Sequence, residues 1–332
     1  SAGLDPTVVV GGRVGTMGGS NARVGRSDLL LVESDESDGS FLKLAPILAV
    51  ITSIDREHLD HYGDLGGVLA AFSDFANKVP FYGAAVLCLD DENVQRILPR
   101  ITRRTVTYGF SAQADLVVGG VRAQRFCSEF HLCFRHADLG VFRLNIPGRH
   151  NVLNAAAAAA VALELGVGVE TMRGGIAEFA GVDRRFQKRG EAGGVTLVDD
   201  YGHHPTEIRA TLETARQCGY GRVLALFQPH RYTRTQLLMD DFGRAFHQAD
   251  AVFVADIYAA SEPSIPGVTA EALAARIQEF GHRAVQYAGA LDAAVESVVR
   301  AARPGDLILT LGAGSVSQAG NAILERLKEV RR

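Results

Sequence analysis

VTLVDDYGHHPTE, residues 195–207, is the stretch on which the reading turns. Val195, Leu197 and Val198 form an apolar, β-branched run that predicts a buried strand. Pro205 suits the first position of a helix, and Thr206 and Glu207 suit its first turn. Asp199, Asp200, Tyr201, His203 and His204 then fall at the carboxyl end of a strand, where open α/β sheets bind ligands. A capped strand-to-helix turn with one satisfied His is the plainer alternative. Five polar groups converging on one tight turn favour a site.

Working outward, the pattern after Lys188 alternates regularly. Strands are expected at 195–199, 223–227, 251–255, 284–287 and 306–311, and helices at 205–217, 235–248, 269–280, 290–302 and 317–330. That alternation describes a doubly wound α/β unit. Upstream, 29–32 and 47–54 are apolar runs without alternation, as in a parallel sheet covered on both faces. A helix at 65–77, a strand at 84–89 and a short helix at 92–98 follow. Residues 105–144 shift to short alternating strands, an antiparallel patch, before an Ala-rich helix at 151–165 and another at 171–179. The Gly-rich residues 8–25 read as a surface loop. The boundary is expected near 187, giving domains 1–187 and 188–332.

The length of 332 residues accommodates two domains, and 47% hydrophobic with 22% charged residues is ordinary for a soluble globular protein. A net charge of −4 argues against a nucleic-acid partner. The longest apolar run, 155–163, is too short to cross a bilayer, so no membrane partner is expected. Cys88, Cys127, Cys133 and Cys218 show no C-x-x-C spacing and read as free thiols in a reducing cytoplasm.

Four further groups carry chemistry. Glu33, Asp35, Glu36 and Asp38 end one strand, and His58 follows its neighbour; hard oxygens there suit Mg²⁺, although tandem acids also serve as loop caps. His150, Asn151 and Asn154 open the Ala-rich helix, where an Asn amide can read an adenine edge or simply cap the helix. Arg184 and Arg185 suit phosphate. Gln228-Pro-His230-Arg231-Tyr-Thr-Arg234 places two cations and an imidazole at another strand end, a pocket for carboxylate or phosphate. Glu262 adds a carboxylate able to hold an ammonium, and Gly312-Ala-Gly314-Ser315 reads as a close-approach turn. The set fits ATP-driven ligation of a carboxylate to an amine better than hydride transfer.

These residues, in this order, resemble the Mur ligase family. The matching pieces are 33–38, 51–60, 80–83, 148–154, 184–186, 199–207 and 228–234, and the last two favour its alanine-adding branch. The resemblance implies an α/β chain: a central ATPase domain, mostly parallel with a small antiparallel patch, followed by a Rossmann-like C-terminal domain. It implies ATP and Mg²⁺ as cofactors, UDP-N-acetylmuramate and L-alanine as substrates, peptidoglycan precursor synthesis as the setting, and a monomer or weak homodimer. By position, Glu33 and His58 look like Mg²⁺ ligands, and Asn151 with His150 looks like the adenine contact. Arg184 or Arg185 looks like the γ-phosphate contact and Asp200 like a ribose or linker contact. Tyr201, His203, His230, Arg231 and Arg234 look like the pocket for alanine and the reacting carboxylate. Ser53, Asp55-Arg56-Glu57, Asp183 and Ser261 depart from the family pattern.

Its phosphate loop, Gly-x-x-x-x-Gly-Lys-Thr, has no counterpart here. The four lysines, Lys43, Lys78, Lys188 and Lys328, follow Leu, Asn, Gln and Leu. The chain is expected to start just behind that loop, truncating the ATPase domain, and to be inactive alone. Three alternatives stand beside this reading: a sister ligase that attaches a tripeptide, a non-catalytic binding module, and an oxidoreductase suggested by Gly312-x-Gly314. The last lacks an acidic ribose partner at the required spacing.

Overall fold

The computed structural model describes residues 1–14 and 17–329, which form two compact units, Ser1–Ala180 and Gly181–Arg332. Residues 181–187, expected to close the first domain, group with the second. The reason is local: Tyr201 N donates to Arg184 O at 2.6 Å and Phe186 N to the Asp200 carboxylate at 2.7 Å. Among the described residues no helix is long and apolar enough to cross a membrane.

The first unit opens with β1 (Thr7–Val14), β2 (Ser20–Arg23) and β3 (Leu30–Val32), a small sheet ordered β2-β1-β3. Two expectations fail here. The described part of 8–25 is largely strand, because Val8 and Val9 of β1 pair with Arg23 and Ala22. Leu30 and Leu31 are 64% and 55% exposed instead of buried, since β3 is three residues long and pairs β1 at the sheet margin.

The main sheet of this unit follows: β4 (Leu48–Ile51), α1 (Leu59–Tyr62), α2 (Leu65–Asn77), β5 (Ala84–Cys88), α3 (Glu92–Ile97) and β6 (Thr105–Gly109). Then come β7 (Leu116–Gln124), β8 (Cys127–Phe134), β9 (Ala137–Leu144), α4 (Arg149–Glu164) and α5 (Val169–Glu178). Strands run in the order β4-β5-β6-β7-β8-β9, parallel from β4 to β7 and antiparallel beyond. Asp64 starts α2 by accepting the Gly67 N–H at 2.8 Å, an N-cap. The Ala face of α4 packs on Val86, Tyr108, Leu116, Phe130 and Phe142; small side chains let the helix lie close to the sheet. Val68, Leu69, Phe75 and Ala76 of α2 pack against Ala85 and Leu87, which alternation sends to the other face. β5 is thus covered on both faces, as its unbroken apolar run predicts, whereas the strand expected at 47–54 is only Leu48–Ile51 and, at the sheet edge, leaves Ile47 and Val50 exposed.

The second unit runs β10 (Gln187–Ala192), β11 (Val195–Asp200), α6 (Pro205–Gln217), β12 (Val223–Phe227), α7 (Tyr232–Leu237), α8 (Met239–Gly243) and β13 (Ala251–Ala255). It ends with α9 (Ala270–Glu279), β14 (Val285–Gly289), α10 (Leu291–Ala301), β15 (Leu307–Leu311) and α11 (Ala319–Glu329). The expected helix at 235–248 is two short ones, and β10, which has no apolar run, pairs antiparallel with β11. Residue 330, the expected end of the last helix, lies outside the described residues. The sheet order is β10-β11-β15-β12-β13-β14. The last strand inserts between β11 and β12, parallel to both. That reversal of winding opens a crevice at the carboxyl ends of β11, β15 and β12.

Candidate functional site

The loops after β11, β15 and β12 bring most of the second unit's expected site residues together. Tyr201 and His203 lie edge to face with ring centroids 5.1 Å apart. His203 and His230 are 5.9 Å apart, and His230 stacks on Tyr258 at 5.6 Å and 11°. Tyr258 escaped the sequence reading as a partner of His230; its only signal is an aromatic residue just beyond a strand end. Arg231 sits at the N-cap of α7 with φ of 70°, an uncommon conformation for a non-glycine residue, and Arg234 follows in the helix. Arg234 Nη1 donates to His230 Nδ1 at 3.2 Å.

His204 serves the start of α6. Its Nδ1 accepts from Thr206 N at 3.5 Å, and Glu207 accepts the backbone N–H groups of His203 and His204 at 3.0 and 3.2 Å. Together they make a capping box with an imidazole in the usual hydroxyl position. His203 Nδ1 donates to Tyr201 O at 3.1 Å and lies 3.4 Å from Glu207 Oε2. Burial lowers the pKa of His203 despite Glu207. Burial, aided by Arg234, pushes His230 down to about 4.

Asp200, expected as a ribose or linker contact, is 5% exposed and turns its carboxylate to residues 184–187, on the linker side. Its Oδ1 accepts from Gly202 N at 2.7 Å and Thr211 Oγ1 at 3.2 Å, and Oδ2 accepts from Phe186 N. The carboxylate therefore ties residues 184–187 to β11, and burial raises its pKa to about 6. Arg184 also turns inward. Its Nη2 donates to Gly312 O at 2.6 Å, its guanidinium lies 4.6 Å from the Tyr201 ring, and its Nε is 3.6 Å from Asp199 Oδ2. Asp199 Oδ1 accepts from Thr310 Oγ1 at 2.6 Å. Arg185 is the more exposed of the two, ion-paired with Glu207 at 3.2 Å.

Glu262, read as an ammonium holder, instead accepts from Thr233 N at 3.0 Å and Thr233 Oγ1 at 2.7 Å, pinning the first turn of α7 beside Arg231. The close-approach turn is real: a Cβ on Gly312, whose φ is 143°, would lie 2.6 Å from Gln228 O. Gln228 in turn donates to Ser315 Oγ at 3.2 Å and accepts from Val316 N at 2.9 Å.

In the first unit, His58 Nε2 lies 3.4 Å from Glu36 Oε1 and 3.5 Å from Glu57 Oε2. The three residues can present one ligand atom each within 4.8 Å of one another, which suits a divalent cation. The hydrogen bond between them lowers Glu36 and raises His58. Glu33, the residue expected beside His58, is not in this group: its carboxylate accepts from Gly11 N at 2.5 Å, because β3 pairs with β1. Asp35 and Asp38 cap local turns through Ser37 N and Ser40 N. Asn151 donates its amide to Pro147 O at 2.7 Å in the first turn of α4, where His150 also sits.

Comparison with known proteins agrees with this two-unit layout. Residues 28–162 match the Mur ligase middle domain and residues 184–314 the Mur ligase, glutamate ligase domain. The chain belongs to the Mur ligase family. Among Mur ligases it is 68% identical over 327 residues to UDP-N-acetylmuramate–L-alanine ligase of Solibacter usitatus, covering 98% of this chain and 69% of that one. It is 53% identical to the same-named ligase of Acidobacterium capsulatum, over 98% of this chain and 70% of the relative. The solved UDP-N-acetylmuramate-alanine ligase of Thermotoga maritima superposes with a TM-score of 0.80 at 25% identity, covering 98% of this chain and 70% of that structure.

Proposed function

We propose that this Mur ligase chain carries the amino-acid and nucleotide sites of an ATP-dependent ligase that joins L-alanine to the lactyl carboxylate of UDP-N-acetylmuramate through an acyl phosphate. The reading makes it a cytoplasmic step of peptidoglycan precursor synthesis. The observation that carries it is the convergence of His203, His230, Arg231 and Arg234 at the β11–β15–β12 crevice. Paired guanidiniums there suit the carboxylate of a small amino acid, and the two neutral imidazoles suit its nitrogen and the carbonyl it attacks. Tyr201 walls the pocket beside His203. Catalysis then consists of positioning and charge complementarity, with little covalent work by the protein.

A Mg²⁺ ion would be held at His58 with Glu36 and Glu57, whose oxygen-rich set fits it, and Glu33 stands three residues away in sequence. Bound there, the ion would neutralise phosphate charge. Asn151 and His150 are proposed for the adenine edge, and exposed Arg185 for phosphate in preference to Arg184. Asp200 acts through the placement of residues 184–187.

L-Alanine titrated into the chain by calorimetry tests the reading: saturable binding, lost in Arg231→Ala, is expected. No heat in either protein sinks it. With ATP, Mg²⁺ and UDP-N-acetylmuramate added, ADP release by these 332 residues is expected to stay near background, because no lysine follows a glycine to form the phosphate loop. Measurable turnover overturns that part.

A further inference from the structure

The hydrogen-bond partners of the two site histidines fix where each ring carries its proton. His203 Nδ1 lies 3.1 Å from Tyr201 O. A carbonyl only accepts, so Nδ1 bears the hydrogen and Nε2 keeps a lone pair. Glu207 Oε2, 3.4 Å from the same nitrogen, reinforces this choice. His230 Nδ1 lies 3.2 Å from Arg234 Nη1. A guanidinium only donates, so this Nδ1 is the bare nitrogen and the neutral ring carries its hydrogen on Nε2. The His230 ring is also held in place: it stacks on Tyr258, whose backbone is paired on both sides, Tyr258 N to Pro229 O and Arg231 N to Tyr258 O, each at 2.8 Å.

We propose that His203 and His230 are locked in opposite tautomers, His203 Nε2 accepting the proton of an incoming primary ammonium and His230 Nε2–H donating to the oxygen of the carbonyl under attack. The proposal rests on reading this crevice as the amino-acid-ligating site. Nothing in either ring's protein contacts engages Nε2 among the described residues, so each ring offers that nitrogen to a ligand. The rings stand 5.9 Å apart, close enough to serve one small reacting group.

The step balances. One proton passes from the ammonium nitrogen to His203 Nε2 and frees the lone pair. That pair forms the N–C bond at the acyl phosphate carbon, while the carbonyl π pair moves onto oxygen and receives the His230 hydrogen bond. Collapse restores the C=O bond and expels phosphate, which takes the second N–H proton. An amide, a hydrogen phosphate and a protonated His203 remain.

Burial, set against the charges around the two rings, keeps both neutral near pH 7. His203 is faced by Glu207, Arg234 and His204, and burial dominates to lower it. His230 is faced by Arg234, His203, Arg231 and Glu262, and burial again dominates. A neutral pair is what the two roles need: one ring must be able to accept and the other must not have lost its selectivity by protonating at both nitrogens.

Histidine-¹⁵N-labelled full chain tests this directly by NMR. The long-range N–H coupling pattern reports each tautomer without a variant, and His203→Gln and His230→Gln assign the signals. Expected are Nδ1–H at His203 and Nε2–H at His230; the same tautomer at both, or the reverse, overturns the proposal. L-Alanine is then added. The largest shift is expected at His203 Nε2. Calorimetric binding of L-alanine with His203 Nε2 unmoved overturns the proposal and leaves the amino-acid pocket standing. No calorimetric binding at all removes the pocket and the proposal together.

Discussion

Gly314→Ala is the sharpest probe of the crevice. A Cβ at this position would lie 2.6 Å from Gln228 Oε1, 2.7 Å from Tyr258 Cγ and 2.8 Å from Tyr258 Cβ. Carbon–carbon contacts relax only near 3.5–4.0 Å, so Tyr258 or the loop must move by roughly 0.7–1.3 Å. Neither neighbour is a loose tip. Gln228 Oε1 accepts from Val316 N, and Tyr258 is tied through its backbone and stacked on His230. Overpacking of this kind costs about 1–3 kcal/mol. At about 2–4 °C per kcal/mol for a unit of some 150 residues, the second unit should melt ~2–12 °C lower. The displacement should also open His230 to solvent and raise its titration above about 4, since burial is the main cause of that value. Gly221→Ala is the control: its Cβ would meet only Gly305 O, at 3.6 Å, and no change beyond ~0.5 kcal/mol is expected. The assay is thermal unfolding by circular dichroism together with an NMR titration of His230. A Gly314→Ala protein that melts like the parent and titrates unchanged at His230 would refute the tight packing of loop, Gln228 and Tyr258.

Asp306→Ala should be costly elsewhere in the second unit. The carboxylate accepts from Arg222 Nε and Nη2 at 3.1 and 2.6 Å and from Arg303 N at 2.7 Å, so about 2–4 kcal/mol is expected in urea unfolding, below the full buried-pair cost because Arg222 reaches solvent. Asp200 makes a pH prediction. Its folded pKa, raised to about 6, lies above the unfolded value near 3.9, so its contribution is full at low pH and is lost as pH rises through 6. Between pH 4 and 6 the parent should lose stability relative to Asp200→Asn by up to about 1.4 kcal/mol per pH unit; parallel curves refute this. His230 has the opposite sign: with a folded pKa near 4, below an unfolded value near 6.5, it costs stability as pH falls through that window. Arg234→Gln removes a positive neighbour, and the His230 titration should move upward toward 6.5; a midpoint that stays put shows that burial alone sets it.

Much of the architecture follows from local sequence. The unbroken apolar strands 84–88, 223–227 and 307–311 can be satisfied only in a sheet covered on both faces, and Pro205 with Glu207 sets the start of α6 within a residue of its expected place. The expected helix at 235–248 left Arg231 and Arg234 at a strand end, and only the structure starts α7 at Tyr232, with Arg231 as its N-cap and Arg234 in its first turn. Which strands are neighbours is another matter. No local pattern tells β15 to insert between β11 and β12, yet that insertion creates the crevice. Side-chain partners are likewise long-range. Glu33 and Glu36 are equivalent acids in the sequence, and only the pairing of β3 with β1 sends one to Gly11 and leaves the other beside His58. Glu262 reads as a free carboxylate until the fold brings Thr233 onto both its oxygens. For Asp200 the sequence leaves a ribose and a linker contact open, and burial with three inward donors turns its carboxylate to the linker side. The residue types and their order thus establish the family and the list of reactive groups. The tautomers of His203 and His230 are set by partners only two to four residues away, whereas which acid meets which donor is decided by contacts between residues far apart in the chain, where tertiary packing sets geometry that propensity and periodicity do not encode.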